Sequence, residues 1–168
     1  MTVLIMLVAG TLVFSHLCSI LEAVILSITP GYVEARRRVG GRTGLLLHRL
    51  KNDIDRPLSA ILTLNTIANT AGSSAVGWQA GIVFENVSAG VTSAVLTFLV
   101  LIFSEIIPKT LGATNWRRLA TPTTWVTQAL IVSLYPMVMV ANRIAMLVAR
   151  GRPVVRVSRG EIRAIAGL

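Results

Sequence analysis

The stretch VLIMLVAGTLVFSHLCSILEAVILSI, residues 3–28, decides the fold class of this chain. It is longer than the ~20 apolar residues that a helix needs to cross the hydrocarbon core of a bilayer. Its polar side chains are small or hydroxylated apart from His16 and Glu22. It stops at Thr29-Pro30-Gly31, where proline and glycine end a helix. The stretch predicts a transmembrane helix and, with it, an all-α integral membrane protein.

The composition of the whole chain indicates the same class. Of its 168 residues, 54% are hydrophobic and 14% are charged, against ~25% charged residues in ordinary soluble domains. One membrane-embedded domain suits this length. The residues from Met1 to Phe14 lack the basic start and the cleavage site of a signal peptide, so we expect a retained helix. Cys18 is the single cysteine, which excludes an internal disulfide and argues against zinc.

The net charge of +9 raises nucleic acid as a partner. However, aromatic residues make up only 5% of the chain, and the basic residues flank apolar stretches. That placement is typical of membrane topology. We therefore expect the lipid bilayer, and no nucleic acid, as the partner.

Three further apolar stretches follow the first. They cover residues 57–76, 87–107 and 120–148. Pro57 suits a first helical turn, where its missing N–H costs nothing, and Pro108 closes the third span. A loop at 77–86, free of Lys and Arg, joins the second and third spans. Residues 34–56 form a basic, partly amphipathic segment whose leucines are expected to dip into the membrane interface.

The placement of basic residues predicts the topology. All 16 Lys and Arg residues fall within 36–56, 109–118 and 143–163. Under the positive-inside rule these regions face the cytoplasm, while the amino terminus and the 77–86 loop face outside. Four full crossings would put the last two basic regions on opposite sides, so we prefer three transmembrane helices. Residues 120–148 would then form a re-entrant or juxtamembrane helical belt bent at Pro136.

Two points bear on that topology. Re-entrant backbone needs protein around it, which favours a packed bundle or an oligomer. Four simple crossings remain the alternative, because long tails can override local charge counts.

Each of the first three spans carries side chains with hard oxygen ligands. These are Ser15, Ser19 and Glu22 in the first span, Asn65 and Asn69 in the second, and Glu105 in the third. The spacing within each of the first two spans puts its residues on one helix face. A carboxylate inside hydrocarbon is costly and by default indicates function, and oxygen ligands of this kind suit Mg²⁺ or Na⁺. Pro108 has no N–H to donate to the carbonyl of Ser104, so this carbonyl would be free for coordination. In the same way, Pro30 would leave the carbonyl of Leu26 without a donor.

Structural explanations for these residues stay open. Ser15 and Ser19 could be small residues that allow helices to pack closely, and Asn65 and Asn69 could be hydrogen-bond glue between helices. Glu105 could pair with Lys109 four residues on. In the same way, Glu22 could reach the headgroups or pair with Arg36 or Arg37. His16 and Cys18 are interpreted as packing residues, because neither has a second soft ligand at metal spacing.

Three motifs resemble those of a known family. The first is Ser15-His16-Leu17-Cys18-Ser19-Ile20-Leu21-Glu22-Ala23, the second is Leu64-Asn65-Thr66-Ile67-Ala68-Asn69-Thr70, and the third is Phe103-Ser104-Glu105-Ile106-Ile107-Pro108-Lys109-Thr110. In order and spacing they resemble the transmembrane domain of the CorC/CNNM (cyclin M) magnesium transporters, over nearly the whole chain. Leu64 and Ser104 depart from the family, which has glycine there, and both add bulk where helices should approach closely.

The resemblance implies a homodimer of three crossing helices with a cytoplasmic-side belt. It implies a domain at 1–150, followed at 151–168 by a basic connector to cytoplasmic CBS domains. It also implies dehydrated Mg²⁺ held between the first three helices by the residues that match the family motifs. These are Ser15, Ser19, Asn65, Asn69 and Glu105, and Glu22 is the sixth candidate.

The expected function is a magnesium transporter of the export type, with sodium entry as a candidate coupling reaction. The alternative is a non-transporting membrane magnesium sensor or regulatory anchor. An enzyme is not expected, because the sequence offers no nucleophile–base pair and no catalytic metal cluster.

Overall fold

The structure is a computed structural model, and it describes residues 1–84, 89–137, 139 and 143. The chain divides into two compact units, Met1–Tyr135 and Pro136–Leu168, and the elements below belong to the first. Every regular element among the described residues is helical, as predicted. The elements are α1 (Thr2–Ser27), α2 (Pro30–Val39), α3 (Arg42–Asn52), α4 (Asp55–Val83), α5 (Ala89–Leu99), a π-helical segment (Val100–Ile106), α6 (Ile107–Thr114) and α7 (Trp116–Ser133).

Helix α1 is the central element of this unit. It packs against α4, α6, α7 and the π-helical segment. Val24 and Ile25 are fully enclosed by these neighbours, at 0% exposure. Val24 belongs to an apolar cluster that includes Ala120 of α7, and Ile25 to one that includes Ile61 of α4. A polar side chain on α1 can therefore meet side chains from several other helices.

Two helical stretches in the described part of the chain are long and apolar enough to cross a membrane. They are Thr2–Ser27 and Gly90–Thr114, which correspond to the first and third predicted spans. The predicted second span, residues 57–76, lies inside α4. This helix has 29 residues, but interspersed asparagine, threonine, serine and glycine make it less apolar. The crossing by α4 therefore stays a prediction.

The predicted loop at 77–86 is wrong over most of its length. Helix α4 continues through Gly77 and Gly81 to Val83 and ends at Phe84. A glycine inside a helix costs only about 1 kcal/mol. In an apolar environment an interrupted helix loses more, because unpaired backbone groups there have no water to bind. Glycine alone was too weak a signal to end this helix.

The third span does not close at Pro108 as predicted. The helical path continues through Pro108 into α6 and ends at Thr114. The preceding turns are π-helical, and the Ile107 N–H bonds to the carbonyl of Ile102, five residues back. The wider turn lets the helix pass a proline without a break. Pro108 was therefore wrongly interpreted as the end of the span.

The basic segment at 34–56 forms two helices and the start of a third. Helix α2 begins at a Thr29 cap with Pro30 in its first turn, and it ends where Gly40 and Gly41 adopt φ of 84° and 93°. Such positive φ values strongly favour glycine. In α3, Leu47 and Leu50 are buried against protein, so these two leucines do not dip into the interface as expected.

The last described helix, α7, covers the first part of the predicted belt. It ends at Ser133 with a turn at Leu134, two residues before Pro136, which has no N–H to donate to the carbonyl of Val132. Residues 135–137 are helical again. The rest of the 120–148 stretch lies largely outside the described residues, as do the basic tail and the connector at 151–168.

Candidate cation site

A hydrogen bond between two helices forms the centre of the candidate site. The Ser15 hydroxyl on α1 donates to Oδ1 of Asn65 on α4, at 2.9 Å. Ser15 is 0% exposed and Ser19, one turn further along α1, is 1% exposed. The two predicted motifs therefore face each other. The alternative of hydrogen bonding between helices also describes this contact of Asn65 correctly, whereas the contact of Asn69 with Asn65 lies within α4.

Two buried oxygens beside this bond have no hydrogen-bond partner among the residues that the structure describes. They are Oγ of Ser19 and Oδ1 of Asn69. The amide nitrogen of Asn69 makes only a long contact, 3.5 Å, with Oδ1 of Asn65. A buried polar atom without a partner costs about 1–3 kcal/mol, so each one needs an explanation such as a bound ion or water. Thr127 Oγ1 on α7 is a third such atom, away from this bond. Oxygens that lack donors are what a bound cation would satisfy.

Glu105 brings a carboxylate to the same helix assembly. It lies in the π-helical segment, which packs on α1. Its neighbour Ser104 is fully buried and donates to the carbonyl of Leu12 on α1, at 3.1 Å. Glu105 is half-buried and has no ion pair with any residue in the described part of the chain. The pairing of Glu105 with Lys109, which the spacing suggested, is therefore wrong.

Lys109 pairs instead with Glu22 across the contact of α6 with α1. Its Nζ lies 3.2 Å from the Glu22 carboxylate, and the Glu22 side chain is 19% exposed. The alternative pairing of Glu22 with Arg36 or Arg37 is also wrong. Because Glu22 already has a counter-cation, Glu105 is the carboxylate left to balance a bound ion.

His16 has a role that the sequence did not reveal. Its Nδ1 lies 2.7 Å from the carbonyl of Phe103, and because a carbonyl only accepts, Nδ1–H is the donor. In the five-residue register of the π-helical segment, Pro108 would pair with Phe103. The carbonyl that proline leaves without a donor is then that of Phe103 rather than Ser104, and His16 supplies the replacement. The proline in a long apolar run was the available signal.

Leu64 and Ser104, which stand where the family has glycine, make contacts of their own, and other glycines allow the close approach of helices. Leu64 packs against an apolar cluster, and Ser104 uses its hydroxyl on α1. Close helix approach occurs elsewhere. A Cβ on Gly72 of α4 would lie 2.6 Å from Cγ2 of Thr11, and one on Gly112 of α6 would lie 2.9 Å from Cβ of Ala23. Both glycines bring a neighbouring helix against α1.

The described residues contain no group of three or more His, Cys, Asp or Glu side chains placed to hold a metal ion. The candidate site therefore rests on hydroxyl and amide oxygens with one carboxylate. A donor set of this kind fits a hard cation such as Mg²⁺ or Na⁺ and excludes the soft ligands that Zn²⁺ or Cu⁺ would require.

Comparison with known proteins gives consistent matches. The sequence pattern described as the cyclin M transmembrane N-terminal domain matches residues 5–168. A UPF0053 protein of Synechocystis is 29% identical over 154 residues, which are 92% of this chain and 44% of that protein. The UPF0053 inner membrane protein YfjD of Escherichia coli is 30% identical over 112 residues, 66% of this chain and 26% of that protein. The chain thus spans less than half the length of these curated relatives.

Proposed function

The chain belongs to the family of the cyclin M transmembrane N-terminal domain, and on that premise we propose that it is the membrane part of a magnesium transporter. One observation carries the proposal. The Ser15–Asn65 hydrogen bond joins α1 to α4 beside two buried oxygens without partners in the described residues, and α1 also contacts the segment bearing Glu105. Family membership points to magnesium, and the oxygen chemistry is compatible with it.

The proposed ligands come from three helices. They are Ser15, Ser19, Asn65, Asn69 and Glu105. Mg²⁺ prefers about six oxygens at ~2.1 Å and dehydrates reluctantly, so replacing its water shell needs several protein oxygens and a negative charge. Rotation of the Ser15 hydroxyl would release the Asn65 oxygen that it now occupies. Glu105 would supply the charge.

Glu22 has a secondary place in this proposal. Its carboxylate binds Lys109, so it could reach a cation only if that ion pair opens. The pair links α1 to α6 near the helix that carries Glu105, and opening it would loosen the contact between the two helices. Glu22 would then act during movement of the ion rather than in its resting site.

The charge placement supports the proposed topology, while the family resemblance supports the proposed transport direction. With three crossings, the basic regions lie in the cytoplasm and the amino terminus lies outside. We propose outward movement of Mg²⁺ by alternating access, with sodium entry as the coupling reaction, in a homodimer. The basic connector at 151–168 would lead to cytoplasmic CBS domains. The resemblance of the three motifs to cyclin M transporters supports each of these points.

Flux through purified protein tests the proposal. Proteoliposomes loaded with a magnesium-sensitive dye should show Mg²⁺ movement with the wild-type chain and none above empty vesicles with Glu105→Gln. Binding of Mg²⁺, Mn²⁺ and Na⁺ should be measured on the same samples. Binding without flux would contradict transport and favour the magnesium sensor or anchor. The absence of both binding and flux would contradict both functions.

A further inference from the structure

A polar cavity lies away from the residues of the candidate cation site. It occupies about 390 Å³ between α3, the start of α4 and the end of α7. Its lining includes three charged residues, Arg49, Asp53 and Arg56, called here the charged wall. It also includes the largely apolar side chains of Leu46, Val132 and Tyr135, called here the apolar wall. The cavity therefore joins a charged wall with an apolar one at the basic side of the helix bundle.

The two arginines of this cavity are available for an anion. Neither forms an ion pair with a carboxylate among the residues that the structure describes, and the guanidinium of Arg56 lies 5.8 Å from the Tyr135 ring centroid. By contrast, Arg37 and Arg38 on α2 are both bonded to Glu34. With Asp53 also in the lining, the cavity has a net charge of +1, which favours a singly charged anion.

The apolar wall distinguishes this cavity from a site that binds only a soluble phosphate. Val132 is 65% exposed, next to Ile131, which is buried on the packed face of the same helix. Tyr135 presents a ring that is apolar over its face and polar at its hydroxyl, an arrangement common at membrane interfaces. Guanidinium groups recognise phosphate by paired hydrogen bonds, and apolar side chains beside them suit an acyl chain. A soluble phosphoester would leave the apolar wall exposed to water.

We propose that this cavity binds an anionic phospholipid. Arg49 and Arg56 hold the headgroup phosphate, and the wall of Leu46, Val132 and Tyr135 contacts the acyl chains. Basic pockets between helices on the cytoplasmic side of membrane proteins bind anionic headgroups in this way. The site lies outside the ligand set proposed for Mg²⁺, so it does not depend on ion binding.

Lipid binding to the purified chain tests the proposal. Native mass spectrometry with phosphatidylglycerol and phosphatidylcholine should show one preferred phosphatidylglycerol per chain. Arg49→Gln and Arg56→Gln should each weaken that binding about fivefold, the effect of losing about 1 kcal/mol for each basic residue near an anionic lipid. Arg117→Gln is the matched control, because Arg117 also lies over an aromatic ring, that of Trp116, but does not line the cavity.

Two further experiments distinguish a lipid headgroup from a soluble phosphate. Glycerol 3-phosphate should fail to compete with phosphatidylglycerol, and Val132→Asn should weaken lipid binding without unfolding the chain, since Val132 is already exposed. Equal losses in all three arginine variants would show diffuse surface attraction and overturn the proposal. No preference for phosphatidylglycerol, or full competition by glycerol 3-phosphate, would overturn it as well.

Discussion

Helix α1 makes two polar contacts of opposite character. Toward α4 the contact is uncharged, with Ser15, Asn65 and Asn69 in a short hydrogen-bonded chain. Toward the π-helical segment and α6 it contains charges, with Glu105 unpaired in the described residues and Glu22 bonded to Lys109. Both contacts use the same helix, so their side chains can act together.

The difference assigns separate tasks to the two contacts. Neutral oxygens can be buried on the α4 side at a cost of about 1–3 kcal/mol for each unpaired atom. A buried charge costs more, which restricts the carboxylates to positions that are half-exposed or paired. In the proposed cation site, the α4 contact would therefore supply shape and ligand number, while the contact with the π-helical segment would supply charge. Three changes within the two contacts test this division, and a fourth lies outside them; they follow from the largest expected effect to the smallest.

The largest effect is expected from Glu105→Gln, which keeps the shape and removes the charge. Mg²⁺ binding should weaken at least about 100-fold, because a charge pair ~4 Å apart near a protein surface is worth about 4 kcal/mol and about 1.4 kcal/mol is tenfold. The measurement is a magnesium titration of the thermal unfolding midpoint. Glu22→Gln is the matched control and should cost less than about tenfold, because Lys109 already neutralises Glu22. Equal losses would contradict the division of tasks.

Next comes Gly112→Ala, which widens the contact of α6 with α1. Its Cβ would lie 3.0 Å from the backbone carbonyl of Ile20 and 2.9 Å from Ala23, so the helices must separate. Overpacking of this kind costs about 1–3 kcal/mol of unfolding free energy. Gly77→Ala in α4 is the control, since nothing lies within 4 Å of its new Cβ. Unfolding in denaturant should show a loss for the first variant and no loss for the second; matching stabilities would refute the close contact.

Asn69→Leu should change stability and binding in opposite directions. Removing the unpaired Oδ1 should raise the unfolding free energy without Mg²⁺ by about 1 kcal/mol, because a buried oxygen without a donor is destabilising. The same change should reduce the magnesium-dependent stabilisation. Ser74→Ala is the control on the same helix, because its hydroxyl bonds to the carbonyl of Thr70. A variant that loses stability without Mg²⁺ would show that Asn69 is only structural.

The smallest effect is expected outside the two contacts, at Glu34. Hydrogen bonds from Arg37 and then Arg38 lower the pKa of this carboxyl from 4.5 to about 2. A lowered pKa stabilises the folded chain fully above pH 4.5, and the contribution is lost as pH falls toward 2. The pair is exposed, so the change is small. Glu34→Gln should reduce the pH dependence of the unfolding midpoint between about pH 5 and about pH 3. An unchanged pH dependence would contradict the assignment of the lowered pKa to Glu34.

The sequence predicted the helical class correctly, and it identified Ser15 and Asn65 as candidate site residues on two helices that the structure brings into contact. Periodicity shows which residues share a face, and buried polar side chains on two apolar helices have few partners other than one another. The family resemblance was likewise confirmed by the match to the cyclin M pattern. Those parts depend on local spacing and composition.

The charged contact could not be predicted in the same way. Spacing placed Lys109 beside Glu105, but the close approach at Gly112 brings Lys109 to Glu22 on a different helix. The His16 contact needs the π-helical register, which depends on how the chain accommodates Pro108. Both features arise from packing between helices far apart in sequence, where local propensity carries no information.

The position of a bound divalent ion tests the central claim most directly. Crystals of the purified chain grown with Mn²⁺ in place of Mg²⁺ should show one anomalous peak per chain. The account predicts a peak bounded by Ser15, Ser19, Asn65, Asn69 and Glu105, with the Ser15–Asn65 hydrogen bond broken. A peak elsewhere, or none under conditions that saturate binding in solution, would contradict it.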